Sequence, residues 1–174
     1  MGLYFAILMQ TIFLGSCIHK SEPETYLIPK GFQGRATIIF NQKLGVPSKY
    51  ENGRRVYEMP LNGILLSQCK DEYGIIDHQY YYVDSSGKKA SLPIYKYEYN
   101  EDGTTKWTIK NQGEVGIYLD GTTGQYGGES EPGSAAFQLF IVSGNNRLDS
   151  FFTKEYQKKF EDKINKFIGA TKEQ

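Results

Sequence analysis

Between residues 26 and 142 the chain alternates short apolar runs with turn residues. YLIP (26–29), GRATIIF (34–40), GILLSQC (63–69), EVGIYLD (114–120) and AAFQLFIVS (135–143) have the length and composition of strands. Asn52-Gly53, set between SKYE and RRVYEM, is a two-residue hairpin signal, because both central positions of that turn require positive φ. Asp84–Gly87 and Asn100–Gly103 predict two more hairpin turns. Toward the C-terminus the period changes. Phe152, Tyr156, Phe160, Ile164 and Phe167/Ile168 recur at helical spacing while Lys and Glu fill the other face. Asp149 or Ser150 can cap that helix and Gly169 can end it. The expected fold is mainly β: an immunoglobulin-like or prealbumin-like sandwich of about eight or nine strands, with an amphipathic C-terminal helix packed on it. The run 137–142 is apolar on both faces except at Gln138, which predicts cover on both sides.

Residues 1–16 contain no charged side chain, and the chain turns polar directly after Cys17. About 20 apolar residues are needed to span a bilayer as a helix, so this run has the length of a signal-peptide hydrophobic region. Leu14-Gly15-Ser16-Cys17 resembles a bacterial lipobox, which implies cleavage before Cys17 and lipidation of its sulfur. The expected organisation is a signal peptide (1–16), a lipidated cysteine and flexible tether (17–25), the sandwich (26–145) and the helix (146–174). Ile18 stands where many inner-membrane lipoproteins carry Asp, which points to the outer membrane. Glu22 and Glu24 resemble the acid-containing tethers of some surface lipoproteins.

Charge changes the picture by exclusion. The 20 basic and 20 acidic residues cancel, so nothing electrostatic favours a nucleic acid. Cys17 and Cys69 are the only cysteines and His19 and His78 the only histidines, without the spacing of a disulfide framework or a metal site. No metal or cofactor is expected. Cys69 reads as a buried small hydrophobe and Trp107, with Thr105 and Ile109, as core.

Catalytic signals are equally sparse. His78 follows Asp77, but neighbours on a strand face opposite ways, so adjacency makes no dyad and His78 reads as a surface-loop residue. There is no Gly-x-Ser-x-Gly elbow and no His-Glu-x-x-His helix. Asp120, Glu129 and Glu131 flank a Gly-, Thr- and Ser-rich segment, and a hydrolase of glycans or cell-wall material would have to use such carboxylates. The segment 121–133 reads as a loop, in which Thr122, Thr123, Gln125 and Tyr126 offer hydrogen bonds to a sugar or peptide. Tyr95, Tyr97 and Tyr99 fall on one strand face opposite Lys96 and Glu98, the pattern of a half-buried core strand. Tyr80, Tyr81 and Tyr82 put aromatics on both faces of the strand before, leaving Tyr80 or Tyr82 as a candidate exposed patch for ligand.

The segment YLIPKGFQGRATIIFNQKLGVPSKYENGRRVYEMPLNGILLSQ (26–68), followed by YYVDSSGKKASLP, GTTGQYG and FIVSGNNRLDSF, resembles an uncharacterised domain of predicted Bacteroidota-type lipoproteins. That resemblance implies a β-rich envelope lipoprotein and carries no activity with it. The function expected is a non-catalytic binding or accessory module, held to the membrane through Cys17, with a glycan, a peptide or an envelope protein as partner. An envelope hydrolase and a structural subunit of an envelope assembly are the alternatives.

Overall fold

The computed structural model describes residues 20–108, 113–127 and 134–170. Cys17, Ile109, Glu129 and Glu131 lie outside those residues.

The chain enters through β1 (Glu24–Pro29), crosses to a second sheet as β2 (Gly34–Ile39), and returns as the hairpin β3 (Lys49–Glu51) and β4 (Arg54–Glu58). It crosses again as β5 (Ile64–Leu66) and returns as the hairpin β6 (His78–Val83) and β7 (Lys89–Ser91). A separate two-stranded ribbon, β8 (Tyr97–Tyr99) and β9 (Thr105–Trp107), precedes the long pair β10 (Val115–Tyr126) and β11 (Ala135–Gly144). The first sheet has the order β3-β4-β1-β6-β7 and the second β10-β11-β2-β5. Because the chain changes sheet between β1 and β4 and again between β4 and β6, it re-enters in the same direction each time. Thus β1 is parallel to both β4 and β6, at the centre of a mixed sheet. With this shuttling the described residues form eleven strands, more than the eight or nine expected.

The inner faces meet in one core, with Tyr26, Ile28, Tyr57 and Tyr80 against Ala36, Ile38, Ile117, Phe140 and Val142. The second sheet is apolar on its outer face too, as the run 137–142 predicted. Helix α1 (Lys154–Ala170) covers one part of that face, setting Phe160, Ile164 and Ile168 on Ile39, Ile64 and Leu139. A 3-10 helix (Asn145–Phe151) and the β8–β9 ribbon cover the other, where Leu148 and Phe151 meet Tyr95, Tyr118 and Ile141. The cap differs from the one expected. Asp149 and Ser150 belong to the 3-10 helix, and the Thr153 hydroxyl accepts the Tyr156 N–H at 3.2 Å to open α1.

The Asn52-Gly53 turn has φ of 52° and 73°, as its hairpin type demands. Gly63 is constrained more tightly: its φ is +76°, and a Cβ there would sit 2.6 Å from the Arg35 carbonyl oxygen. Gly63→Ala should therefore cost about 1–3 kcal/mol through backbone strain and the enforced shift of β2, read as a lower urea midpoint with unchanged slope. A cost below 0.5 kcal/mol, within the range of an ordinary surface substitution, would show that the turn relaxes freely.

Candidate functional site

The parallel register of β4, β1 and β6 places Arg55, Glu24 and His78 side by side in one row, and Tyr57, Tyr26 and Tyr80 in the next. Alternation turns both rows inward, toward the second sheet. Such a row would leave Glu24 between two cations and His78 short of a partner on its far side. The second sheet supplies that partner through a bulge. Tyr118 pairs with Ile141 and Thr122 with Leu139, so three residues of β10 oppose one of β11. Leu119 takes the unusual φ of 57° within the bulge and packs on the outer face beside Tyr118's cluster. Asp120 is thereby turned inward.

The His78 ring sits between two carboxylates, with Nδ1 2.7 Å from Asp120 Oδ1 and Nε2 3.0 Å from Glu24 Oε2. Both ring nitrogens face acceptors, so both carry protons and the ring is an imidazolium. Burial opposes that charge, but the hydrogen bonds and charges of Asp120 and Glu24 outweigh it and push the His78 pKa up to about 9. Burial likewise opposes the charge on Asp120, and the His78 and Tyr80 hydrogen bonds outweigh it, holding the carboxyl below its ordinary value. The Tyr80 hydroxyl donates to Asp120 at 2.7 Å, while the Tyr26 hydroxyl donates to Glu24 and accepts from Gln138 Nε2 at 2.7 Å. Burial first, then neighbouring negative charge, drives both tyrosines well above the usual phenol range, so they stay protonated donors. On the other side of Glu24, Arg55 lies 3.8 Å from Oε1 and 2.8 Å from Glu72. A cavity of about 180 Å³ opens over Glu24, His78 and Gln138, roofed by Tyr73 and Ile76.

Two expectations are overturned here. His78 is a strand residue with a side chain only 5 % exposed, not a surface-loop histidine. Glu24 belongs to β1 and the buried network, and not to a flexible acidic tether. Asp77 does face away from His78, forming its ion pair with Arg54 at 2.9 Å. A glycosidase acid requires a carboxyl held protonated, and Asp120 is shifted in the opposite direction. Among the described residues no cluster of three or more His, Cys, Asp or Glu has the arrangement to hold a metal ion. Nor is any helix among them long and apolar enough to cross a membrane.

A second constellation lies on the outer face. The β8–β9 ribbon packs one edge on the sheet, where Trp107 meets the Tyr118 ring edge-on at 4.9 Å. Tyr97 stands 5.1 Å from Trp107 and Tyr99 5.4 Å from Tyr97, forming an aromatic wall. Leu119 forms the floor, and Asp149, Phe152 and Thr153 form the opposite side of a groove of about 470 Å³. Tyr99 is 72 % exposed, Tyr97 43 % and Phe152 37 %. The core reading of Tyr95, Tyr97 and Tyr99 therefore holds for Tyr95 alone. The other two ride on a two-stranded ribbon with no third strand to cover them. Trp107 is half-buried and lines the groove.

The other expected ligand residues are dispersed. Tyr80 is fully buried, and Tyr82 is half-buried with its hydroxyl given to the Phe32 carbonyl, so neither forms an exposed patch. Residues 121–126 continue β10 and pair with β11, and are not a loop. Their polar and glycine-rich composition suits a strand at the edge of its sheet, where packing demands little of the side chains. Within it Thr122 is half-buried and Thr123 lines the small cavity over His78. Tyr126 stacks on Phe137 at 4.1 Å, and Gln125 reaches Ser134 at 3.1 Å. Cys69 is buried and free, as expected.

A two-sheet β-sandwich carrying a helix on its outer face, a buried charge row and an aromatic groove is the class of protein this fold defines. The chain belongs to DUF6843, a family of unknown function whose model matches residues 20–131. The fold is shared with the crystal structure of a "Putative Lipoprotein from Bacillus anthracis", at a TM-score of 0.59 and 14 % identity over 86 % of this chain and 95 % of that one. No curated protein matches the chain.

Proposed function

We propose that the protein is a cell-envelope lipoprotein, fastened through a diacylated Cys17, whose body is a non-catalytic module that binds a saccharide in the aromatic groove. The observation that carries the binding reading is the exposure of Tyr97, Tyr99 and Phe152 around one cavity together with Trp107. Monomeric domains seldom leave aromatic surface gathered at one concave place without use. A sugar ring fits the chemistry of the walls: its C–H faces stack on aromatic rings, and its hydroxyls require acceptors and donors. The Asp149 carboxylate supplies acceptors on the side facing the tyrosines. The anchor reading is supported by the uncharged run ending at Cys17, by the resemblance to predicted Bacteroidota-type lipoproteins, and by the description of the Bacillus relative as a lipoprotein. With Ile18 after the cysteine, the outer membrane is the destination in a cell that has one.

Trp107 is the sole tryptophan, so its emission reports on the groove. Titration with cell-wall glycan fragments should change that emission, and Tyr99→Ala should weaken binding about 10- to 100-fold. If peptides alter the emission and glycans do not, the saccharide assignment is wrong. Cys17→Ala should leave the membrane fraction and keep residues 1–16 attached. A wild-type protein that takes up no labelled palmitate would refute the anchor.

A further inference from the structure

Among the described residues, exposed large apolar side chains other than Leu61 and Ile94 fall mainly in two places. One is the groove. The other surrounds the point where the described chain begins. Lys20 pairs with Ile75 in a parallel bridge, the Ser21 hydroxyl donates to the Ile75 carbonyl at 2.9 Å, and the Glu22 N–H donates to Glu72 at 3.1 Å. Residues 20–22 are thus fastened to the segment 72–75, and the tether expected over 17–25 is body from Lys20 onward. Beside this junction Tyr73, Ile75 and Ile76 are 61 %, 52 % and 45 % exposed. Leu44 and Val46, also half in solvent, lie in the loop that Asn41 ties to Asp71 at 3.0 Å.

The distance to Cys17 decides what can cover these side chains. Lys20 is the third residue after Cys17, and even fully extended those three steps span only about 10 Å. A lipidated Cys17 lies at the acyl boundary of the bilayer, and the headgroup layer above it is about 5–7 Å thick on each side. Lys20 and everything bonded to it then stand within the headgroup layer or no more than a few Å above it. An interfacial Tyr and two Ile are the side chains that such a position favours, the ring at the headgroups and the aliphatic groups below. Of the acids around it, Asp77 is paired with Arg54, and Glu22 and Glu72 share the one guanidinium of Arg55, so part of their charge is compensated before it meets a lipid phosphate.

We propose that the segment Tyr73–Ile76 is a membrane-contact surface that seats the anchor-proximal end of the sandwich in the lipid headgroup layer; this rests on the lipidation of Cys17. The seating orients the whole body. Gln138, beside His78, lies in the lower half of β11, and Gly144, six residues on and roughly 20 Å higher, leads into the 3-10 helix that lines the groove. The groove is held away from the bilayer, open to ligands in the surrounding space.

The test uses the lipidated full chain in phosphatidylcholine/phosphatidylglycerol vesicles, with an environment-sensitive fluorophore on Ile75→Cys or, as control, on Ser85→Cys in the β6–β7 turn. Spin-labelled lipids should quench the label at 75 at least threefold more than the label at 85. Unlabelled lipidated protein should show slowed amide exchange over residues 72–77 relative to unlipidated Cys17→Ala, which covers the case of a label that disturbs the loop. If the protein floats with vesicles but neither site is quenched and exchange is unchanged, this inference is overturned and the anchor stands. Loop protection without lipid quenching means that a second copy covers the surface, which also overturns it. A protein that neither floats nor takes up palmitate removes the anchor and this inference together.

Discussion

His78→Ala is expected to destabilise the fold by about 3–5 kcal/mol near neutral pH, as removal of one partner from a buried ion cluster generally does. The substitution leaves Glu24 and Asp120 facing a void where an imidazolium stood, with Arg55 near only one of them. In wild type the sign of the pH dependence follows from the raised His78 pKa. An unfolded histidine titrates near 6.5 and this one near 9, so its contribution is complete below 6.5 and is lost as pH rises through 9. The full difference corresponds to about 3 kcal/mol. Asp120 acts in the opposite sense: its lowered pKa contributes stability above the unfolded value of 3.8, and that contribution disappears as acid protonates it. Wild-type stability should plateau between these limits and fall on both sides. In His78→Ala the alkaline fall should vanish, and the gap to wild type should narrow toward pH 4, because protonation relieves the orphaned carboxylates. Urea melts from pH 4 to 9.5 measure all of this. A flat wild-type profile between 6.5 and 9, with a substitution cost under 1 kcal/mol, would mean that the row is hydrated and weak.

The charge row also explains which parts of the molecule could be read from the sequence. The Asn52-Gly53, Asp84–Gly87 and Asn100–Gly103 turns and the stripe of α1 from Tyr156 to Ile168 are local signals, and each sits where the pattern put it, whereas Phe152, read as the first residue of that stripe, lies before the helix on the groove. His78 is different. Its partners come from positions 24, 120 and 138, brought together by parallel pairing that arises only because the chain shuttles between sheets. Alternation carried back from Tyr26 and Ile28 would have put Glu24 on the same face, had the strand not been started at 26, and Gln138 stood out as a polar residue inside an apolar strand. Those were the available hints of a buried polar network. The bulge at Leu119–Gly121 had no comparable signal beyond an Asp-Gly pair. Without it Asp120 would point outward and His78 would have one acid instead of two. Tyr97 and Tyr99 misled for a different reason. Alternation shows that residues share a face, not whether a third layer covers it.

That missing layer is why Phe151→Ala should affect both stability and the groove. Phe151 is 4 % exposed, packs with Tyr95, Tyr118, Ile141 and Leu148, and meets the Tyr156 ring at 5.1 Å. Its carbonyl accepts the Arg35 Nε–H at 2.9 Å, fixing the end of the 3-10 helix against β2. Truncating a buried Phe costs about 3–5 kcal/mol through lost transfer energy and the cavity left behind. The functional consequence follows from chain geometry. Asp149, Phe152 and Thr153 form one wall of the groove, and they flank Phe151 within two residues of it. Loss of the Phe151 anchor frees that wall from the ribbon carrying Tyr97, Tyr99 and Trp107, so ligand must supply the ordering that the core supplied before. Binding should weaken by at least tenfold in protein that is still folded at low temperature, whereas Ile164→Ala, which removes packing from α1 farther along the helix, should cost about 2–5 kcal/mol and leave affinity nearly unchanged. Calorimetric melts paired with Trp107 titrations separate the two variants. Equal losses of affinity in both would show that the groove reports global stability and owes nothing special to the 3-10 helix.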